Sequence, residues 1–190
     1  MRTGFVARFA LGCLIAAGTF PARAQDLDKP FLLVASPQTT GFYSRAVLLV
    51  LPKGTEHVGF IINRVTRTTV AAAFPGEPLS AKVDEPIYLG GPTNTQALYA
   101  VVPNDPGEGS RRLFGELFVA VGSDALDRVI RESPHKARYF AGFVTWGPGE
   151  LKREIARGAW FTAEADEGWL FHSHPGHMWA ALQQRPQASR

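Results

Sequence analysis

Three histidines near the carboxyl end have the residue type and the spacing that could support chemistry. His172, His174 and His177 lie within six residues, and the chain has five histidines in all. In an extended segment the side chains of His172 and His174 project to the same side, and Pro175-Gly176 can turn the chain to bring His177 round. Neutral imidazoles that converge suit zinc, copper or nickel. We therefore predict a candidate site for a divalent transition metal, although an ordinary polar segment also explains these residues.

The sequence around these histidines also resembles a known metal-binding motif. His172-Ser173-His174-Pro175 is similar to the His-x-His-Pro core of the JAMM metalloproteases. That resemblance implies two zinc-binding histidines, a serine and an aspartate further along the chain, and a glutamate that activates water. Residues 175–190 contain no Asp or Glu, so the acidic ligand is missing. A metal-dependent hydrolase using the three histidines is kept as an alternative, and we expect a protein that is not an enzyme and needs no cofactor.

A second candidate site lies where two apolar segments end. Residues 58–62 run into Asn63-Arg64, and residues 87–89 run into Gly90-Gly91 before a proline. Functional side chains often follow rigid strands, and glycines let another backbone approach closely. The chain has no phosphate-binding pattern of the GxxxxGK[ST] or GxGxxG type here. We predict that Asn63, Arg64, Gly90 and Gly91 bind an unidentified protein or small-molecule partner, although structural turns also explain them.

Short apolar runs predict the strands that would position both sites. These runs are residues 31–35, 45–51, 58–62, 87–89, 98–102, 117–121 and 139–146. Helices are predicted as well, including one capped by Ser123 and ended by Pro134, one over residues 150–157, and one over residues 178–184. Residues 168–171 are predicted as a short strand or extended turn. Strands in runs with helices inserted singly indicate an α+β fold, with one compact domain and a mainly antiparallel, strongly bent sheet.

The first 24 residues have the pattern of a secretory signal peptide. Arg2 and Arg8 precede an apolar core over residues 9–20, which is too short to span a bilayer, since a span needs about 20 residues. Ala22-Arg23-Ala24 is a typical cleavage site. We therefore expect a mature chain of residues 25–190 that is exported to the periplasm or secreted, with no membrane span after cleavage.

Cleavage would change the charge and the cysteine content of the protein. It removes three of the 20 basic residues and none of the 17 acidic ones, so the formal net charge falls from +3 to zero. A neutral exported domain lacks the excess positive charge of a nucleic-acid binder, so we expect no nucleic-acid partner. The only cysteine, Cys13, leaves with the signal, so the mature chain can form no disulfide.

Several segments, taken in order, resemble the YqgE/AlgH family. They are FLLVASP at residues 31–37, GFIINR at residues 59–64, IYLGGP at residues 87–92 and AGFVTW at residues 141–146, followed by Gly149-Glu150-Leu151 and Ala159-Trp160. The resemblance implies that residues 25–190 form a compact α+β domain, with a bifurcated sheet curled into a pseudo-barrel and a few short helices. It supplies no catalytic residues, which favours a binding or regulatory domain.

The signal-like segment separates this chain from that family in one respect. Family members usually have no signal peptide, and some carry a transcriptional-regulator label. An exported protein cannot meet chromosomal DNA, so the regulator interpretation is kept only for the case in which residues 1–24 are not a signal.

Overall fold

The computed structural model describes residues 26–184. The predicted signal peptide, residues 1–24, therefore lies outside the described residues. Among residues 26–184, no helix has the length and apolar character needed to cross a membrane.

The described part of the chain contains ten strands and five α-helices. The strands are β1 (Phe31–Ala35), β2 (Val47–Lys53), β3 (Glu56–Ile61), β4 (Val65–Thr69), β5 (Pro86–Leu89), β6 (Thr93–Pro103), β7 (Ser110–Phe114), β8 (Leu117–Ala120), β9 (Arg138–Trp146) and β10 (Trp160–Glu164). The helices are α1 (Val70–Ala73), α2 (Ser123–Glu132), α3 (Glu150–Ala156), α4 (Glu167–Leu170) and α5 (Met178–Gln183).

The sheet forks at β9. Its main path runs in the order β10-β1-β2-β3-β9-β6-β8-β7, and β4 and β5 form a branch because β5 also pairs with β9. The β5–β9 pairing is parallel, and every other pairing within residues 26–184 is antiparallel. The curled sheet forms a half-barrel, which confirms the predicted α+β fold with a mainly antiparallel, strongly bent sheet.

Strand β1 and the first four residues of β2 are buried on both faces, which explains why these segments are continuously apolar. Alternate residues enter different cores. Leu32 and Leu49 face the concave side of the half-barrel, which we call the inner face. Phe31 and Leu48 face the opposite side, against α3. Each fully buried side chain of this size contributes about 1.5–3 kcal/mol to stability, so the pattern fixes the pairing register strongly.

Three hydrophobic cores follow from this arrangement. The inner core lies within the half-barrel, where the last two helices contribute Trp169, Leu170, Met178 and Leu182. One outer core lies between β1–β3 and α3. The other outer core lies between β5, β6 and β8 and the apolar face of α2, which buries Ala125, Val129 and Ile130.

Two local predictions need correction. Residues 168–171 were expected to be extended, but α4 begins at Glu167 because the Asp166 side chain accepts a hydrogen bond from Gly168 N and caps a helical turn. Ser123 was expected to cap α2, but Gly122 is the N-cap residue and Ser123 is the first helical residue. The predicted helix near the carboxyl end is confirmed as α5.

Candidate functional site

Asn63 joins the end of β3 to the start of β2. Its side-chain Oδ1 accepts a hydrogen bond of 2.9 Å from Val47 N, and its Nδ2 donates one of 2.9 Å to Arg45 O. Val47 is fully buried, so its N–H has no access to water. Arg45 has a φ angle of 57°, in the left-handed region that non-glycine residues rarely adopt. The amide of Asn63 therefore holds an unusual turn and satisfies a buried donor.

Arg64 holds the same turn from its other side. Its Nη2 donates a hydrogen bond of 3.2 Å to Ser44 O, and its guanidinium lies 4.9 Å from the ring centroid of Phe42. Partial burial lowers the pKa of Arg64 from its ordinary value, an effect that the nearby Tyr43 only partly opposes. The ring of Phe42 is 43% exposed. The guanidinium is therefore engaged with the turn at residues 41–45.

Gly90 and Gly91 lie at the fork of the sheet, where backbones approach too closely for a side chain. A Cβ atom on Gly90 would lie 2.2 Å from Gly142 O, and one on Gly91 would lie 2.2 Å from the carbonyl of Phe143. The peptide of Gly90 also links the two arms, since its oxygen accepts from Ile61 N at 2.8 Å and its N–H donates to Ala141 O at 2.9 Å. The close approach explains the pair of glycines without a ligand.

The structure thus brings the four predicted binding residues to one region, because Leu89 N also donates to Arg64 O at 2.9 Å. Each of the four makes contacts that shape the fold. None of them lines the cavity described below. Their predicted role in binding a partner stays a prediction.

A cavity of about 430 Å³ opens on the inner face, at one end of the half-barrel. Helix α5 covers the other end, where the indole Nε1 of Trp179 donates a hydrogen bond of 2.7 Å to Ala35 O at the end of β1. Pro30, which precedes the opposite end of β1, lines the cavity. Ligand pockets in proteins usually measure about 300–1,000 Å³, so the cavity has the size of a small-molecule site.

The floor and walls of the cavity are apolar. Phe60, Tyr99 and Phe143 form an aromatic cluster, with the Tyr99 ring centroid 5.7 Å from that of Phe60 and 5.6 Å from that of Phe143. Val58 lies opposite Thr145 in the β3–β9 register, and both line the cavity. The Tyr99 hydroxyl accepts a hydrogen bond of 3.1 Å from Asn94 Nδ2.

The charged residues that line the cavity are all basic. They are Lys53, Arg111 and Arg112, and the part of the lining that residues 26–184 supply contains no carboxylate, imidazole or thiol. A cationic rim around an apolar interior distinguishes this cavity from the acidic and histidine-rich clefts that usually support hydrolysis.

Sequence reasoning missed this site. Its lining residues come mainly from six strands, on which inward-facing positions such as Val58 and Phe60 of β3 alternate along the chain. The alternation is visible in the sequence, but which strands oppose each other across the half-barrel is not. Strand β7, which carries Arg111, was not predicted because its residues SRRLF are mostly polar and none of the five is fully buried.

The three predicted metal-binding histidines lie side by side along the segment between α4 and α5. The ring centroids of His172 and His174 are 6.2 Å apart, and those of His174 and His177 are 5.9 Å apart. The ring of His172 stacks on Trp169, with 5.4 Å between centroids, and its Nδ1 accepts a hydrogen bond of 3.1 Å from His174 N. Arg138 Nη2 donates to His172 O at 3.1 Å and ties this segment to β9.

In this arrangement the imidazoles follow one another and do not converge on a common point. Within residues 26–184, no group of three His, Cys, Asp or Glu side chains has a geometry that could hold a metal ion. Metal binding by His172, His174 and His177 would therefore need the segment to rearrange, and it stays a prediction.

Glu154 shows how a carboxylate of this chain serves the fold. Its Oε2 accepts hydrogen bonds from the indole Nε1 of Trp146 at 3.0 Å and from that of Trp160 at 2.7 Å. Both indoles are buried, with 3% and 4% exposure respectively. The carboxylate joins α3 to β9 and β10, and it points away from the inner face.

The fold and the cavity define a class of protein: a single α+β half-barrel whose sheet forks at one strand, with an apolar cavity on its concave face. A family model described as AlgH-like (DUF179) matches residues 32–189, and the chain belongs to that family. The resemblance to the YqgE/AlgH family is thereby confirmed.

Curated relatives and solved structures agree with this assignment. A UPF0301 protein of Myxococcus xanthus is 28% identical over 155 residues, which cover 79% of this chain and 86% of the relative. One of Methylococcus capsulatus is 28% identical over 166 residues, covering 84% and 91%. The solution structure of the AlgH protein from Pseudomonas aeruginosa gives a TM-score of 0.70 at 24% identity, covering 84% of this chain and 88% of that one. The crystal structure of protein DIP2367 from Corynebacterium diphtheriae gives 0.69 at 23% identity, covering 85% and 89%.

Proposed function

We propose that this protein is an exported binding domain that holds a small apolar or amphipathic molecule in its inner-face cavity and catalyses no reaction. The observation that carries the proposal is the cavity of about 430 Å³, with its aromatic cluster of Phe60, Tyr99 and Phe143. Apolar concave sites with few polar groups are typical of small-molecule binding.

The chemistry of the lining favours binding over catalysis. A general acid or base at neutral pH is usually a histidine or a carboxylate, and a nucleophile is usually a serine or cysteine with an adjacent base. The cavity offers the hydroxyls of Tyr99 and Thr145 and basic residues instead. None of these is paired with a base in the lining. Apolar contact is what the site can provide.

Export is the part of the proposal that rests on residues 1–24. The positive charges, the apolar core and the Ala22-Arg23-Ala24 site support cleavage before Gln25. Amino-terminal sequencing of protein recovered from the periplasm or medium tests this, with Gln25 as the expected first residue. A full-length chain that stays soluble inside the cell would contradict it. In that case the alternative of a transcriptional regulator returns, and a salt titration with duplex DNA would test it.

Binding can be tested on the mature chain with N-phenylnaphthylamine, an uncharged fluorescent probe of apolar sites. We expect saturable binding and shifts of the Phe60, Tyr99 and Phe143 ring resonances. Val58→Trp should fill the cavity and abolish binding, because Val58 lines it beside Thr145. Val65→Trp is the matched control, since Val65 is 48% exposed on β4 and does not line the cavity. Equal binding by both variants would overturn the proposal.

A further inference from the structure

Arg111 is positioned to face the apolar cavity from β7. It lies opposite Val119 in the β7–β8 register, and paired residues of neighbouring strands face the same side of the sheet. Val119 belongs to the inner core, and Leu113, two residues after Arg111, packs against that core. Both Arg111 and Leu113 line the cavity. The side chain of Arg111 therefore extends along the inner face toward the opening.

The other two basic residues of the rim already have partners. Arg112 forms an ion pair of 2.7 Å with Glu116, donates to Gly115 O at 2.7 Å, and lies 5.9 Å from the ring centroid of Phe118. Phe118 packs in the outer core beneath α2, so Arg112 is directed away from the inner face. Lys53 lies 3.8 Å from the carboxylate of Glu56.

Arg111 differs from both of these residues. Across residues 26–184, no hydrogen bond, ion pair or ring contact engages its guanidinium. The described residues of the lining that surrounds it include no acidic one. A guanidinium beside apolar surface is a strong donor for a planar acidic group, because two N–H groups can bond to two oxygens at once.

We infer that the cavity selects amphipathic anions, with an apolar body against Phe60, Tyr99 and Phe143 and an acidic head bound by Arg111 at the rim. This inference rests on the proposed function and names its ligand class: an organic acid with a short acyl chain or an aromatic body. The apolar body supplies most of the affinity, and the single guanidinium distinguishes the acid from its neutral analogue.

A matched pair of probes tests the inference. Anilinonaphthalene sulfonate and N-phenylnaphthylamine share one ring system, and only the first carries an anionic group. Titration of the mature chain should give tighter binding of the sulfonate, and octanoate should displace it better than octanol. Higher ionic strength should weaken binding of the sulfonate but not of the neutral probe.

Arg111→Gln should weaken sulfonate binding by about tenfold, the effect of losing one partly exposed charge-assisted contact. Binding of N-phenylnaphthylamine should stay unchanged in that variant. Arg67→Gln is the matched control, because Arg67 is an exposed arginine on β4 that does not line the cavity. Thermal melts of both variants should match the parent, since neither residue is buried.

The outcomes separate the two proposals. In one outcome both probes bind and Val58→Trp blocks both of them, but Arg111→Gln weakens neither probe or weakens both equally. The proposed ligand class is then overturned, and the binding function stands. If neither probe binds in a manner sensitive to Val58→Trp, the binding function is overturned and the ligand class falls with it. Selective loss of the sulfonate in Arg111→Gln alone supports both proposals.

Discussion

Replacement of Asn63 by alanine tests whether this residue serves the fold or a ligand. The change removes the acceptor of Val47 N and the donor to Arg45 O. Arg45 is exposed, so water can replace the second bond, but Val47 is fully buried and its N–H would be left unpaired. An unsatisfied buried donor costs about 1–3 kcal/mol. For a chain of this size that corresponds to a fall in Tm of roughly 2–12 °C.

Asn63→Asp separates the two hydrogen bonds. A carboxylate can still accept from Val47 N, but it cannot donate to Arg45 O, and its second oxygen would face that carbonyl. The protonated acid restores a donor, so the folded state should favour protonation and hold the pKa of Asp in this variant above its unfolded value. By linkage, the free energy of unfolding of the Asp variant should increase relative to that of the parent as the pH falls toward 4. This gain should be lost as the pH rises through the raised pKa of the folded state.

Urea denaturation of the parent and both variants at two pH values measures these effects, with N-phenylnaphthylamine binding as a second readout. We expect reduced stability, and unchanged probe affinity under conditions where the variants remain folded. A loss of less than 0.5 kcal/mol in the alanine variant, below the range expected for an orphaned buried donor, would refute the structural role. Unchanged stability combined with lost binding would show instead that Asn63 contacts a ligand.

Three further predictions concern other parts of the molecule. Gly91→Ala should prevent folding because its Cβ would lie 2.2 Å from the β9 backbone, whereas Gly176→Ala, which meets nothing within 4 Å, should fold normally by circular dichroism. Burial, with a smaller contribution from the charge of Glu85, raises the pKa of Tyr139 above its ordinary value. The free energy of unfolding should therefore keep the contribution of this residue below about pH 10 and lose it as the pH rises further. Urea titrations of Tyr139→Phe should show a smaller loss of stability at alkaline pH than the parent. If the histidines bind metal, calorimetry with zinc or copper should show an affinity that falls below about pH 6. That binding should disappear in the His172→Ala/His174→Ala double variant. Equal heats from the parent and the double variant would contradict this prediction.

The sequence predicts the strands of the central sheet well because burial on both faces requires continuous apolar runs. Residues 31–35 and 139–146, for example, were predicted from their runs of apolar residues and correspond to β1 and most of β9. The fold class follows from the order of the elements. The apolar face of α2 follows the helical period, since Ala125 and Val129, four residues apart, are both buried.

The roles of Asn63 and Arg111 could not be predicted from the sequence in the same way, for a physical reason. A polar side chain at the end of a strand can serve a ligand or a turn, and the choice depends on what lies across from it. Asn63 faces the backbone of residues 45–47, a neighbour that local sequence does not reveal. Arg111 lines the cavity but was not predicted as a site residue, because nothing in the sequence SRRLF indicates that it faces an apolar cavity.

The fork of the sheet and the cavity have a common origin in Gly142. Before this residue, Tyr139 faces the outer core beneath α2 and Phe140 faces the inner core. After it, Phe143 faces inward and Val144 faces the other outer core, so the strict alternation of the strand is broken once. Gly142 has a φ of 69°, and the β6–β9 register shifts at the same point, which identifies a bulge.

Without that bulge, Phe143 and Thr145 would turn to the outer face and Val144 to the inner one. The aromatic cluster of the cavity would then lose Phe143, and α3 would lose Val144 from its core. A Cβ on Gly142 would also lie 2.6 Å from Gly91 O, so the two glycine positions depend on each other. The glycines of the fork therefore act on any ligand indirectly, because they set which side chains of β9 reach the cavity.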